Sequence, residues 1–249
     1  MAGIGIGESL THAPASTQAP YSYRSGMGMV PSAEWMVFFD DFNSLVTTNV
    51  PAGWAAAVVD SGGTVTQYVT AASHPGTGAI ATFDATASEG AAIYLPLSIE
   101  LTTGKRFMME ARVFTNDVTD GAVQFGLADL TATTNPEDLW TTASADVVAF
   151  GILDGSAVTQ FLSDEANGGA AAIAGTRSLT ASVWHTLGIS WKGGVLSAWV
   201  DGKLSASTST AANIPVDDVM LAPFLGSING NGAGSNVVLW DWFRVVVER

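Results

Sequence analysis

Acidic and basic residues at strand spacing are the first groups in this chain that could perform chemistry. Retaining hydrolysis of a glycosidic bond needs two carboxyl groups about 5 Å apart, and residues two apart on a strand share one face. No predicted strand offers two acids at that spacing. In the closest candidate, Glu110 stands beside Arg112. We interpret these two side chains as a structural ion pair, and we predict no catalytic residue.

Three aspartates are candidates for holding a hard cation. Asp40 and Asp41 lie in an early predicted strand and Asp241 lies in the last one, and calcium prefers several converging oxygen ligands. We state this trio as a calcium hypothesis, with solvated or hydrogen-bonded acids as the alternative, and we expect no other cofactor. A zinc set is not indicated, because the chain lacks cysteine and its histidines are scattered at His12, His74 and His185.

Tryptophan is the residue type that could stack on sugar rings, and the chain has eight of them. Large aromatic side chains in strands normally fill a core or a subunit contact. We expect that role for Trp184, Trp191, Trp240 and Trp242. The candidates for exposed glycan-stacking platforms are Trp54, Trp140 and Trp199.

The stretch from Trp184 to Lys203 shows which elements must position these groups. Its residues alternate between apolar and polar on both sides of Gly193-Gly194, which predicts a β-hairpin, and Asp201-Gly202 opens a further strand. Short alternating runs continue along the chain and predict a sandwich. The predicted strands are 35–42, 54–59, 64–71, 78–84, 90–95, 106–115, 122–129, 146–153, 157–162, 184–191, 195–200, 219–225 and 236–247. One short helix is predicted over 135–140.

The hairpin pattern, Trp-His followed by alternating apolar positions, Gly-Gly and then Trp-Val-Asp-Gly-Lys, resembles the laminin-G-like members of the concanavalin A-like lectin and glucanase superfamily. Weaker similarity extends to 38–42 and 238–245. The resemblance implies an all-β, two-sheet jelly-roll sandwich whose first and last strands are neighbours. Glycosidases of that superfamily carry a Glu-x-Asp-x-x-Glu strand, which this sequence lacks. We therefore expect that the protein is not an enzyme.

The first part of the chain differs in composition from the rest. Residues 1–34 are rich in Gly, Ala, Ser, Thr and Pro. Residues 35–249 consist of short predicted strands separated by turn residues, as in one β-sandwich domain. A flexible tail is one interpretation. The other is an extended N-terminal arm that orders against a neighbouring subunit. The residues that would give the arm its contacts are Tyr21, Tyr23, Arg24, Met27 and Met29.

Net charge excludes some classes of partner. The chain carries a formal charge of −14, which repels phosphate backbones and acidic membranes, so we expect no nucleic acid and no membrane as partner. Charged residues make up only 13% of the chain, which is low for a freely soluble monomer. The N-terminus lacks the basic and apolar regions of a secretory signal.

Two functions fit these observations. The main hypothesis is a virion structural protein, a capsid decoration or cement protein of a tailed bacteriophage, made in the host cytoplasm and placed on the capsid surface. Its partners would be the major capsid protein and copies of itself, in a homotrimer. The alternative is a carbohydrate-binding, lectin-like module that recognises surface glycans.

Overall fold

A computed structural model describes residues 35–40, 42, 53–59, 64–66, 79–82, 90–129, 146–153, 155–165, 171–216, 219–229 and 237–248. Within these ranges the protein is built of 15 strands and one short 3₁₀ helix, Ala211–Asn213. None of the described helices is long and apolar enough to cross a membrane. Strand pairing is antiparallel throughout the described sheets.

The first sheet has eight strands in the spatial order β13, β12, β11, β6, β15, β4, β3, and β1 also pairs with β15. Its central strand is the last of the chain, which pairs along one edge with β6 and along the other with β4 and β1. The strands are β1 (Trp35–Asp40), β3 (Thr64–Thr66), β4 (Ala79–Thr82), β6 (Phe107–Thr115), β11 (Trp184–Lys192), β12 (Val195–Val200), β13 (Lys203–Thr208) and β15 (Val237–Glu248). The first and last described strands are therefore neighbours, as predicted.

The second sheet has seven strands in the spatial order β10, β9, β8, β7, β14, β5, β2. They are β2 (Ala55–Val59), β5 (Gly90–Tyr94), β7 (Gly121–Ala128), β8 (Val147–Ile152), β9 (Val158–Asp164), β10 (Ala171–Ser178) and β14 (Ala222–Asn229). The two sheets meet at one side of the sandwich, where the Thr159 and Ser205 hydroxyls lie 2.7 Å apart and join β9 to β13.

Alternate side chains of both sheets fill the space between them. Phe243 of the eight-stranded sheet meets Phe125 of the seven-stranded sheet edge-on, with ring centroids 6.5 Å apart. The same buried cluster includes Met109 and Ile189 from one sheet and Phe150 from the other. Burying this apolar surface is the main driving force for closing the sandwich. The prediction of an all-β, two-sheet jelly roll is confirmed.

The hairpin predicted on both sides of Gly193-Gly194 forms as expected. Gly193 and Gly194 both have positive φ, and β11 pairs with β12 in the register that places Ile189 opposite Ala198. Asp201 also adopts positive φ (49°) in the next turn. The further strand predicted after Asp201-Gly202 is β13. The predicted strands did not include β10, whose many small residues in Ala171–Ser178 give little apolar alternation.

Several predictions concern residues outside the described ranges. These are the N-terminal arm 1–34 with its five named contact residues, the helix over 135–140 with Trp140, and Asp41. They remain predictions.

Candidate functional site

The outer face of the eight-stranded sheet, which points away from the core, carries a series of ion pairs. Two pairs join β6 and β15, and the third joins the residue before β6 to the end of β15. The two strands are adjacent in space although more than 120 positions separate the paired residues along the chain. The pairs are Arg106 with Glu248, Glu110 with Arg244, and Arg112 with Asp241.

The prediction that Glu110 pairs with Arg112 is wrong. The two residues share one face of β6, but Glu110 accepts a hydrogen bond from Arg244, which lies directly opposite it on β15. The Glu110 and Arg244 side chains are both almost wholly buried. Burial raises the pKa of Glu110 to about 7, against the lowering effect of Arg244. Glu110 pairs with Arg244 because the register of β15 on β6 places the two residues opposite each other. The sequence of β6 alone does not give that register.

Trp54 does not form an exposed platform. Only 7% of its surface is exposed, and its indole Nε1–H donates to Asp40 Oδ2 at 2.7 Å. Its ring packs edge-on against Phe243, with ring centroids 5.1 Å apart, and at a tilt against Phe42, with ring centroids 5.5 Å apart. Trp54 is therefore part of the core.

Trp199 is also buried, with 7% of its surface exposed, although it lies on the outer face of the eight-stranded sheet. It lies opposite Gly188 on β11, and its Nε1–H donates to the Ser190 hydroxyl at 3.1 Å. A Cβ at Gly188 would lie 3.6 Å from the Trp199 Cβ, which is an ordinary van der Waals contact. The expectation of an exposed stacking residue at 199 is not met.

The described aspartates of the calcium hypothesis, Asp40 and Asp241, are each engaged by other groups. Asp40 is engaged by the Trp54 indole and by the Phe42 backbone N–H at 2.7 Å. Asp241 lies on the outer face of its sheet, paired with Arg112. Within the described ranges no group of three His, Cys, Asp or Glu residues is placed to hold a metal ion. Calcium binding through Asp41 lies outside the described residues.

A β-bulge on β15 creates the accessible polar and aromatic surface that the sequence analysis missed. The pairing of β15 with β6 shifts between Trp240 and Trp242, so Asp241 is an extra residue on β15. Trp240 and Phe243 point into the core. The two residues between them are partly exposed, unlike their buried neighbours on either side.

Arg112 is the centre of this surface. Its guanidinium donates to Asp241 Oδ2 at 2.6 Å, and its Cζ lies 4.9 Å from the centroid of the Trp184 ring. The side chains of Arg112 and Asp241 are 42% and 23% exposed, and Trp184, Thr186 and Trp242 are partly exposed. Thr186 and Trp242 lie opposite Arg112 on its two neighbouring strands. We call these five residues, Arg112, Trp184, Thr186, Asp241 and Trp242, the bulge surface.

The tryptophans differ from the expectation in their exposure. Trp191 and Trp240 are buried, as predicted for core residues. Trp184 and Trp242, also predicted to be structural, are partly exposed, and Trp184 packs against Phe114 with ring centroids 5.5 Å apart. Period-two alternation places Trp240 and Trp242 on the same side of a regular strand. The extra residue at 241 instead turns Trp242 to the outer face, and the alternation pattern does not reveal it. The Trp-Asp-Trp spacing was visible in the sequence, but the bulge was not.

His185 is held by two hydrogen bonds near one end of the bulge surface. Its Nδ1 lies 2.7 Å from Asp201 Oδ2, and its Nε2 accepts the Thr180 backbone N–H at 2.9 Å. Because Nε2 is an acceptor, the ring proton resides on Nδ1 and is donated to Asp201. Asp201 also accepts the Thr186 backbone N–H at 2.8 Å, which ties the turn at 201 to β11. His185 is buried and braces this turn.

Comparison with known proteins identifies the fold. Neither a family model nor a curated protein matches the sequence. Among solved structures, arcelin-5, a lectin-like defence protein from Phaseolus vulgaris, is similar with a TM-score of 0.59 at 10% identity, covering 87% of this chain and 100% of that one. The catalytic domain of an endo-1,3-β-glucanase (laminarinase) from Thermotoga petrophila gives 0.56 at 13% identity, covering 87% and 99%. The Crh5 transglycosylase gives 0.55 at 15% identity, covering 84% and 83%.

The fold is the concanavalin A-like jelly-roll sandwich of lectins and glucanases. The resemblance drawn from the hairpin is therefore confirmed at the level of fold. The prediction that the protein is not an enzyme is corrected, because this fold also occurs in a glucanase catalytic domain and in a transglycosylase. A missing Glu-x-Asp-x-x-Glu strand does not exclude glycan cleavage by residues in another arrangement.

Proposed function

We propose that this protein binds carbohydrate, and that the bulge surface is its sugar site. The observation that carries the proposal is the pairing of Arg112 with Asp241 between two partly exposed tryptophans, Trp184 and Trp242. Sugar rings present apolar C–H faces and hydroxyl edges. The bulge surface offers a matching combination of aromatic rings, a guanidinium, a carboxylate and the Thr186 hydroxyl.

The polar pair is held in place before any ligand arrives. Asp241 and the Trp184 ring both contact the Arg112 guanidinium, so its conformational freedom is already restricted. A ligand that adds hydrogen bonds to this arrangement loses little further side-chain entropy on binding. The fold, which is shared with lectins and a glucanase, supports the same class of ligand.

A glycan array tests this proposal. We expect the wild-type protein to bind a defined set of glycans, and Trp242→Ala to lower that binding at least about tenfold, the equivalent of about 1.4 kcal/mol. Val195→Ala is the matched control, because Val195 is an exposed apolar residue of the same sheet in the β11–β12 hairpin. Equal binding by wild type and Trp242→Ala, or no glycan binding at all, would contradict the proposal. Release of reducing ends from a bound glycan would show cleavage at this surface.

A virion structural role is the second candidate, favoured by the low charge and by the exposed apolar side chains. Charged residues are 13% of the chain, and the described surface presents Phe39, Val158, Val183, Val195 and Met220 with 40% or more of each exposed. In this role a decoration protein would use the 1–34 arm to contact the major capsid protein and copies of itself. Weak contacts of this kind gain strength from symmetric repetition.

Truncation tests the second candidate. Removal of residues 1–34 should leave the sandwich folded and weaken particle binding. Protease protection of the arm in purified particles, but not in the free protein, would support the same role. Unchanged particle binding by the truncated protein would contradict it.

A further inference from the structure

The first strand, β1, has one unpaired edge. Its other edge pairs with β15 along all of Trp35–Asp40, and no strand of the described ranges lies on the free side. Strands that remain at the edge of a sheet usually carry a charge, a proline or a bulge that keeps other strands away. Residues 35–39 read Trp-Met-Val-Phe-Phe and contain no such group, and their pairing with β15 is regular. The edge of β1 is therefore unprotected against a further strand.

Every second residue of β1 presents its backbone N–H and C=O groups to this edge. The Glu248 N–H donates to the Arg106 carbonyl at 2.9 Å, so the backbone of Glu248 faces β6. Trp35 lies opposite Glu248 and therefore exchanges no hydrogen bonds with it, and the alternation of an antiparallel pair repeats this at Val37 and Phe39. The backbone groups of these three residues point away from β15. An extended strand is the structure that satisfies such a row of donors and acceptors.

The side chains in the second half of β1 are apolar and accessible. Phe39 is 41% exposed, and Val37 and Phe38 are partly exposed. The strand carries no charge before Asp40, and the Asp40 carboxylate accepts the Trp54 indole N–H. A second strand on this edge would thus bury apolar surface without removing an unpaired charge from water.

We propose that β1 is a self-association edge, to which β1 of a second copy of this chain adds antiparallel about a two-fold axis. With Phe38 on the axis, Val37 lies opposite the partner's Phe39, and their outward backbone groups exchange hydrogen bonds. The same pair of aromatic and β-branched side chains recurs on the other side of the axis. A second copy fits this edge because its β1 is equally apolar and uncharged, and because β15 already holds it extended, so it loses little freedom on pairing. The association does not depend on the proposed sugar site.

Amide hydrogen exchange of the wild-type chain, read by NMR at low and high protein concentration, tests the proposal, with sedimentation velocity giving the fraction of dimer. The Val37 and Phe39 amides should exchange at least about tenfold more slowly where the dimer predominates. The Met36 and Phe38 amides face β15 at both concentrations, so they are the internal controls and should change little. A monomer at every concentration, or exchange at Val37 and Phe39 that is the same in monomer and dimer, would overturn the proposal.

A charged substitution on the same edge gives the second test. Phe39→Lys should weaken self-association at least about tenfold, because lysine is a residue with which natural edge strands keep other strands away. Val195→Lys, the same charge added at a residue that is 40% exposed in the β11–β12 hairpin, should associate like wild type. Each lysine reduces the net charge of −14, so overall repulsion cannot explain a loss. Unchanged dimer formation by Phe39→Lys would contradict the proposal, and glycan binding is measured separately on the array.

Discussion

His185 and Asp201 are joined by a 2.7 Å hydrogen bond that ties the start of β11 to the turn after β12. The second Asp201 oxygen accepts the Thr186 N–H, so one carboxylate fixes both a side chain and the backbone of β11. Asp201 has positive φ, which aspartate tolerates better than most residues. The Asp201-Gly202 turn, which predicted a further strand in the sequence, therefore also braces the end of the sheet beside the bulge surface.

Loss of this brace should destabilise the fold. Asp201→Ala removes both hydrogen bonds and places alanine at positive φ, and we expect the free energy of unfolding to fall by about 2 kcal/mol. Urea denaturation measures the change. Lys203→Ala, an exposed change two residues further on, is the control and should stay within about 0.5 kcal/mol of wild type.

The Glu110–Arg244 pair predicts how stability varies with pH. The folded protein holds the Glu110 proton more tightly than the unfolded chain, because burial raises its pKa from 4.5 to about 7. Stability should therefore fall as pH rises from about 4.5 to about 7 and stay level above that range, with a total contribution of about 3 kcal/mol.

Glu110→Gln should remove this slope when unfolding free energies are compared at about pH 5 and about pH 8. At about pH 8 the variant also leaves Arg244 without its buried anion, so the informative quantity is the difference between the two pH values. Glu100→Gln, with the same change of charge, should keep the wild-type slope. An unaltered slope in Glu110→Gln would refute the assignment.

Two strand glycines should respond oppositely to alanine. A Cβ at Gly151 would lie 1.7 Å from the Val123 carbonyl oxygen, whereas at Gly188 its nearest neighbour is the Glu110 Cγ at 3.5 Å. Gly151→Ala should cost about 3 kcal/mol or prevent folding. Gly188→Ala should be neutral or slightly stabilising, because it reduces the freedom of the unfolded chain. Thermal melting of both variants checks this pair, and similar melting temperatures would contradict it.

The sequence predicted the fold better than the site, for reasons visible in particular residues. Leu187, Ile189 and Trp191 alternate strictly, so the strand and its buried face followed from periodicity. β10 was missed because Ala171–Ser178 is mostly small residues. The partner of Glu110 depends on the register of a strand 134 positions away, and the outward turn of Trp242 depends on a bulge. Neither feature has a local sequence signal.

The central claim is that sugar binds at the bulge surface, and the indole N–H signals of the tryptophans test it most directly. A glycan identified on the array should be titrated into isotopically labelled protein, with each indole signal assigned through Trp→Phe variants. The signals of Trp184 and Trp242 should move with saturation, while those of the buried Trp191 and Trp240 stay fixed. Saturable binding that leaves both Trp184 and Trp242 unmoved would contradict the account.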